Sequence, residues 1–272
     1  MSTPGMDITA LKARMRDTWM AGDFGVIARH TAQSAEEFVG RMKLAPGTTV
    51  LDVACGTGNT AIPAARTGAR VTGVDIAANL LEQARQRAAR EGLEIDFREG
   101  DAEQLVFADA SFDSVITMYG AMFAPRPERV AAEFLRVCRP GGMIAMANWT
   151  PSGFPAKMLA AVAKHAPPPP GLPAPVLWGD EATVRQRLGS GAKDIRLTRE
   201  IAVMNFPFPP REAVQLFRQY FGPTQAAFSR LDEPGQAALA AEMEQLFTQH
   251  NQSRDGTTVV HGEYLEVVAI RG

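Results

Sequence analysis

Apolar positions recur at two spacings along the chain, and the alternation between them sets out a fold. Short runs rich in β-branched residues occupy 50–54, 70–74, 95–99, 114–118 and 143–148, and such runs read as strands. Between them, 59–67, 77–90 and 128–137 place apolar residues at the spacing of one helix face. Gly68 and Gly92 stand where helix C-caps belong, and Pro140-Gly141-Gly142 marks the approach to the fifth strand. Strand–helix units of this size predict an α/β architecture, a mostly parallel sheet with helices on both faces.

The flanks carry other patterns. Asp7 is placed to cap a first helix whose apolar stripe is Leu11, Met15 and Trp19. Gly22-Asp23-Phe24-Gly25 then breaks it. Ser34 and Glu37 have capping-box spacing ahead of Phe38, Val39 and Met42, and Pro46-Gly47 turns the chain into the first strand. After Trp149 the rhythm changes. Pro167-Pro168-Pro169-Pro170 begins a stiff, extended connector, and a short helix over 180–188 follows. Two β-rich stretches, 194–205 and 257–270, complete the sheet to seven strands. Between them, 206–255 shows two amphipathic helical patterns and is too long for a plain hairpin loop, which predicts a helical insertion or lid. The expected organisation is a single domain over 1–272, with a helical cap at 1–45, a core at 46–150 and the insertion at 206–255.

Composition narrows the function. Hydrophobic residues make up 46% and charged residues 21% of the 272, and the net charge is -2. That balance leaves no basic footprint for nucleic acid and no polybasic patch for anionic lipid. Cys55 and Cys138 are the two cysteines and form no CxxC pair; a disulfide framework and a metal site are not expected, and a reducing cytoplasm fits. The opening stretch MSTPGMDITALKARMRD lacks the apolar core of a signal peptide, and no apolar run approaches the roughly 20 residues of a bilayer span.

The chemistry concentrates in Asp52-Val53-Ala54-Cys55-Gly56-Thr57-Gly58-Asn59, a strand that ends in a glycine-rich turn and enters a helix. Without Cβ atoms at Gly56 and Gly58, backbone N–H groups can approach a ligand closely. Gly56 to Ala61 also satisfies G-x-G-x-x-A, but alone that match to a dinucleotide site is weak. Asp52 suits a cationic amine and repels a pyrophosphate. Asp75, at the tip of the second strand, offers two carboxylate oxygens to the two hydroxyls of a ribose; a helix N-cap is the plainer alternative, and the two roles coexist. Asp101, in Gly100-Asp101-Ala102-Glu103, can accept from an exocyclic adenine amine or stand as a solvated turn acid.

These elements, in this order, resemble the class I S-adenosylmethionine-dependent methyltransferases, and within them the ubiquinone/menaquinone-biosynthesis C-methyltransferase-like group of small-molecule enzymes. The resemblance rests on LDVACGTGNTA, VTGVDIAANLLEQAR, EGDAEQLVFADASFDSV and Glu133-Phe134-Leu135-Arg136-Val137-Cys138-Arg139-Pro140-Gly141-Gly142, and covers about Thr48 to Thr150. It implies a doubly wound, Rossmann-like fold and S-adenosyl-L-methionine as cofactor. By resemblance, Asp52, Gly56 and Gly58 hold the methionine part, with Ala54 and Cys55 in the same turn. Asp75 binds the ribose, Ile76 lies against the adenine, and Asp101 and Ala102 read the adenine edge. Met118 and Tyr119 face the transferring methyl, and the segment from Trp19 through Phe24 to Gly25 folds over the cofactor, the alternative being that Trp19 and Phe24 are core aromatics. Ala54 departs from the family's usual first glycine and is expected to avoid positive φ.

Methyl transfer is an in-line displacement that asks for alignment and water exclusion, so no catalytic triad is expected. Tyr119 and His30 are the candidate bases; His165, His250 and His261 read as surface or structural. The acceptor pocket is expected among Tyr119, Met122, Phe123, Phe206, Phe208, Phe217, Tyr220, Phe221 and Phe228, more than half of which should be core. Such a lining favours a small hydrophobic or aromatic acceptor. The rivals are a nicotinamide-dependent oxidoreductase and an S-adenosylmethionine-binding protein without transferase activity.

Overall fold

A computed structural model describes residues 7–272. Seven strands form one sheet: β1 (Thr49–Val53), β2 (Arg70–Asp75), β3 (Asp96–Glu99), β4 (Phe112–Met118), β5 (Cys138–Trp149), β6 (Ala192–Phe206) and β7 (Thr258–Arg271). Their spatial order is β3-β2-β1-β4-β5-β7-β6. The first five pair in parallel, and β7 runs antiparallel between β5 and β6. The order reverses between β1 and β4, and α/β sheets bind ligands outside the carboxyl ends of strands at such a reversal.

The central strands β1 and β4 are buried on both faces, which is why they read as apolar runs, while the edge strand β3 buries only Phe97. Val50, Leu51, Val53, Val115, Ile116, Ile144 and Met146 lie in one continuous core. Helices α4 (Ala61–Arg66), α5 (Ala78–Arg90) and α6 (Pro127–Val137) supply the crossovers, and α8 (Glu181–Leu188) leads into β6. Gly68 and Gly92 follow α4 and α5 at φ +85° and +65°, the left-handed conformation that closes a helix C-terminus.

The N-terminal segment folds as α1 (Ile8–Ala21), the short α2 (Phe24–Ala28) and α3 (Ala32–Met42). Asp7 caps α1, accepting from the N–H groups of Thr9 and Ala10. Ser34 and Glu37 do not form a capping box. A 3-10 turn at Arg29–Thr31 runs straight into α3, so Ser34 is buried inside the helix and Glu37 accepts from Gln33 instead.

The stretch 206–255 holds three helices rather than two: α9 (Pro210–Tyr220), α10 (Gly222–Ser229) and α11 (Glu233–His250). Pro223 restarts the chain one residue into α10, as proline favours in a first turn. Helix α7 (Phe154–His165) lies where the sequence showed only a change of rhythm. It packs with α9 and α11 around Phe206, Phe228, Met243 and Phe247, a second core beside the first. A side chain at Gly222 would collide with the Thr18 carbonyl, so this glycine lets α10 close onto α1. Among the described residues, no helix is long and apolar enough to cross a membrane.

Candidate active site

The turn after β1 is built from backbone conformations that side chains resist. Ala54, Gly56 and Gly58 have φ of +55°, +52° and +83°. The expectation that Ala54 avoids positive φ is therefore corrected. The Cys55 N–H is fixed 3.0 Å from the Val74 carbonyl, and the chain reverses before that bond only through a left-handed residue. Alanine carries the smallest Cβ that meets this demand, at about 1–2 kcal/mol. Arg87 buttresses the turn from α5, donating to the Thr57 carbonyl and to Asn59 Oδ1. Asn59 Nδ2 in turn donates to the Ala28 carbonyl at 2.8 Å and ties the N-terminal segment to the turn.

The three acids differ in kind. Asp52 is wholly buried and has no surface on the cavity. Its Oδ2 accepts from Thr60 Oγ1 at 2.6 Å, while Oδ1 is buried without a partner. Burial pushes its pKa up to about 7, opposed in part by the Thr60 bond. Asp52 thus stands buried beside the turn, its charged form disfavoured by burial, rather than touching a ligand as expected. Asp75 lies on the cavity wall, with Oδ2 accepting from the Gly56 N–H at 2.9 Å and Oδ1 from the Ala77 N–H at 2.9 Å. Each oxygen keeps a lone pair for a ribose hydroxyl; burial raises this carboxyl too. Asp101 Oδ1 caps its own turn at the Glu103 N–H. Its Oδ2 pairs with Lys12 Nζ of α1 at 2.5 Å, and the same ammonium meets the buried Glu103.

One cavity of about 660 Å³ joins these groups, within the usual range of small-molecule sites. Its two halves follow the sheet order. On the β2–β3 side the wall is polar: Asp75, Glu99 and Asp101 with Lys12 and Arg16. On the β4–β5 side it is apolar, formed by Trp149 with Phe154, Met158, Leu159 and Val162 of α7, Met204 of β6, and Phe217 and Phe221. Trp19 and Phe24 close the roof, packing on Phe123 and Phe221 with ring centroids 5.2–6.0 Å apart. They are half-buried, line the cavity and belong to neither core.

The structure gathers most of the expected cofactor residues. Phe24, Ala54, Cys55, Gly56, Asp75, Ile76, Asp101, Ala102 and Met118 all line the cavity. Gly58 shapes the turn from behind, where a Cβ would press on Ile62 and Phe97. The polar half fits a ligand with a cationic head, a free ribose and an adenine: a Cβ at Gly56 would meet only open space, and the unpartnered Asp52 oxygen lies behind it.

The acceptor residues divide. Tyr119, Phe123, Phe217 and Phe221 line the cavity. Met122 sits in the main core, and Phe206, Phe208 and Phe228 belong to the second core, because strand and helix direction turns them away from the cavity. Tyr220 is not among the residues of the described cavity wall, and its backbone carbonyl lies against Gly22. The whole α7 contribution was missed; its signal was Phe154, Met158 and Val162 at i, i+4, i+8 behind Pro155, a proline suited to a first turn.

Neither candidate base is placed to act as one. His30 Nδ1 contacts the Asn205 carbonyl at 2.6 Å and its ring lies on Phe206; burial lowers its pKa. It joins α3's approach to β6 and is absent from the described cavity wall. Tyr119 adopts φ +60° and stacks on Trp149 at 3.6 Å. Its hydroxyl is buried without a partner, and burial pushes the phenol well above its ordinary range, so it stays protonated.

Residues 51–146 match a family described as "Methyltransferase domain". An uncharacterized protein of Mycobacterium tuberculosis is 36% identical over 272 residues, covering 99% of this chain and 98% of its own. The demethylmenaquinone methyltransferase of Renibacterium salmoninarum is 39% identical over 109 residues, 40% of this chain and 44% of that one. Among solved structures, the Haemonchus contortus phosphoethanolamine N-methyltransferase 2 in complex with S-adenosyl-L-methionine superposes with a TM-score of 0.55 at 16% identity, over 88% of this chain and 52% of that one.

Proposed function

The chain belongs to the class I S-adenosylmethionine-dependent methyltransferases, and from that premise we propose that it methylates a small, hydrophobic or aromatic acceptor held in the apolar half of the cavity, in the cytoplasm. The observation that carries the proposal is the division of one cavity into a polar half beside β2 and β3 and an apolar half beside β4, β5 and α7.

S-adenosylmethionine supplies a methyl group made electrophilic by its sulfonium. The chain's own residues align and enclose. Gly56 and the backbone around it receive the methionine part, with Asp52 behind them favouring a cationic amine. Asp75 takes the ribose hydroxyls, Ile76 the adenine face, and Asp101 and Ala102 the adenine edge. Met118 and Tyr119, at the end of β4, stand where the two halves meet and orient the acceptor against the methyl. The helices of 1–45 and of 206–255 act as covers, with Trp19, Phe24 and Phe221 excluding water. Holding two reactants in line this way removes much of the entropic barrier to their meeting.

Calorimetry with S-adenosylmethionine and with NADH tests the cofactor half: tight binding of the first and none of the second is expected. Incubation with a panel of apolar phenols, thiols and quinols, followed by S-adenosylhomocysteine release, tests the acceptor half. Release with none of them, by a protein that binds the cofactor, overturns the acceptor assignment and favours a binding protein without transferase activity.

A further inference from the structure

Among the described residues, the apolar half of the cavity holds no side chain placed to take a proton. The charged side chains on the described wall, Lys12, Arg16, Asp75, Glu99 and Asp101, all belong to α1, to the ends of β2 and β3, or to the loop after β3. The polar side chains near β4, β5 and the helices are Thr31, Tyr119, Trp149 and Thr224. Tyr119 is held protonated by burial, and its hydroxyl has no surface on the cavity. All four histidines are turned elsewhere: His30 to Asn205, His165 to Glu242, His250 to Lys157, and His261 outward on β7.

Such a chamber selects among acceptors by their proton balance. A ring carbon that gains a methyl must then shed a proton, and an alcohol must shed one first, and no described side chain of this half accepts it; an amine that gains a methyl is left as an ammonium, whose charge no described side chain of this half offsets. An anion formed beforehand in water needs no such help. Once inside, it meets no cationic side chain among the described residues of the apolar half, Lys12 and Arg16 lying on the polar half, and the sulfonium is the opposite charge brought to it. Opposite charges attract far more strongly in an apolar enclosure than in water, and a reaction that cancels both leaves nothing charged to be solvated there. The flat Tyr119–Trp149 stack at 3.6 Å, with Phe123, Phe217 and Phe221 nearby, suits an aromatic ring.

Resting on the function proposed above, we infer that this half-cavity binds an aromatic oxygen acid as its phenolate and that the transfer is an O-methylation. A lone pair on the phenolate oxygen forms the bond to the methyl carbon, and the carbon–sulfur bond breaks with its pair going to sulfur. The anion becomes an aryl methyl ether and the sulfonium a thioether; the phenolic proton stays in the water it left before binding.

The ionisation state of a bound phenol is readable without turnover. 4-Nitrophenol, whose phenolate absorbs in the visible, is titrated against pH on the full-length protein loaded with S-adenosylhomocysteine, which is neutral at sulfur, or with sinefungin, which carries an ammonium in that region. The bound probe's pKa is expected to lie about one unit or more lower with sinefungin, the size of shift a close opposite charge produces. Equal pKa values in the two loaded forms, or no binding of the probe to protein that binds S-adenosylhomocysteine, overturn the inference. Failure to bind S-adenosylhomocysteine at all instead overturns the cofactor half of the proposed function.

Discussion

The Gly56 N–H donates to Asp75 Oδ2 at 2.9 Å, so the turn after the first strand and the tip of the second are one unit. Asp75 has two tasks: it steadies the loop that receives the methionine part and keeps lone pairs for the ribose. Asp75→Ala is expected to weaken S-adenosylhomocysteine binding by on the order of 1–3 kcal/mol, the worth of hydrogen bonds to a charged group. Asp75→Asn should lose less, since its amide oxygen still accepts one of the two backbone bonds. Calorimetric affinities equal to wild type in both variants would remove the ribose assignment.

Ala54 gives a sharper stability test. At φ +55° its Cβ is strained, and a Cβ on neighbouring Gly120 would strike the Ala54 carbonyl. Ala54→Gly is expected to be neutral to stabilising by up to about 1 kcal/mol, strain relief being offset in part by greater freedom of the unfolded chain. Ala54→Val should destabilise by roughly 2 kcal/mol or more, because a β-branched residue fits this conformation poorly. Urea midpoints that shift in the same direction for both would contradict the strain.

The pH dependence follows from Asp52. Burial raises its folded-state pKa from 3.8 to about 7. A raised carboxyl stabilises the folded form below its unfolded value, and that contribution is lost as pH climbs from about 4 through 7. The cofactor-free protein is therefore expected to lose on the order of a few kcal/mol between pH 4 and pH 8. Asp52→Asn should flatten this loss, leaving the smaller slope of Asp75. Parallel stability curves for the variant and wild type would show that Asp52 does not titrate in this window.

What the sequence disclosed and what it hid divide along the cavity. The cofactor half is local: Asp52 to Gly58, Asp75–Ile76 and Asp101–Ala102 each lie at the end of a strand or just beyond it, and their turn chemistry is written in adjacent residues. Even there, Ala54 misled, because a hydrogen bond from Cys55 to Val74 on another strand overrode its own preference. The apolar half gathers side chains from the end of β4, from β5, α7, β6 and α9, which are spread along the chain from Tyr119 to Phe221. No spacing rule distinguishes Phe217, which lines the cavity, from Phe206, which fills a core; both rings lie against Phe247 of α11, and only the assembled fold leaves one of them a face on the cavity. Lys12 was hidden for the same reason, its partners Asp101 and Glu103 lying far along the chain.

Lys12 is also the pin that holds α1 over the polar half. Its buried partner Glu103 keeps Arg126 at 2.7 Å when Lys12 is lost, so that charge is not left unpaired and global stability should change by only about 1 kcal/mol in Lys12→Met. The local effect is expected to be larger: α1 opens more often, limited proteolysis within residues 8–21 speeds up, and S-adenosylhomocysteine leaves faster. Digestion patterns and dissociation rates identical to wild type would show that α1 is held by Trp19 and its aromatic neighbours alone.

Leu159 separates the two halves of the site experimentally. It lies on the apolar wall in α7, partly exposed within the cavity and remote in the sheet order from Asp75 and Asp101. A larger side chain there fills acceptor space without entering the cofactor half, and a partly exposed position avoids the cost of overpacking a sealed core. Leu159→Trp is expected to leave S-adenosylmethionine affinity within about twofold of wild type, since a twofold change is under 1 kcal/mol. Binding of 4-nitrophenol and methyl transfer to it should fall at least tenfold. A parallel loss of cofactor affinity would mean that the two halves are one compartment, and undiminished transfer would place the acceptor elsewhere on the molecule.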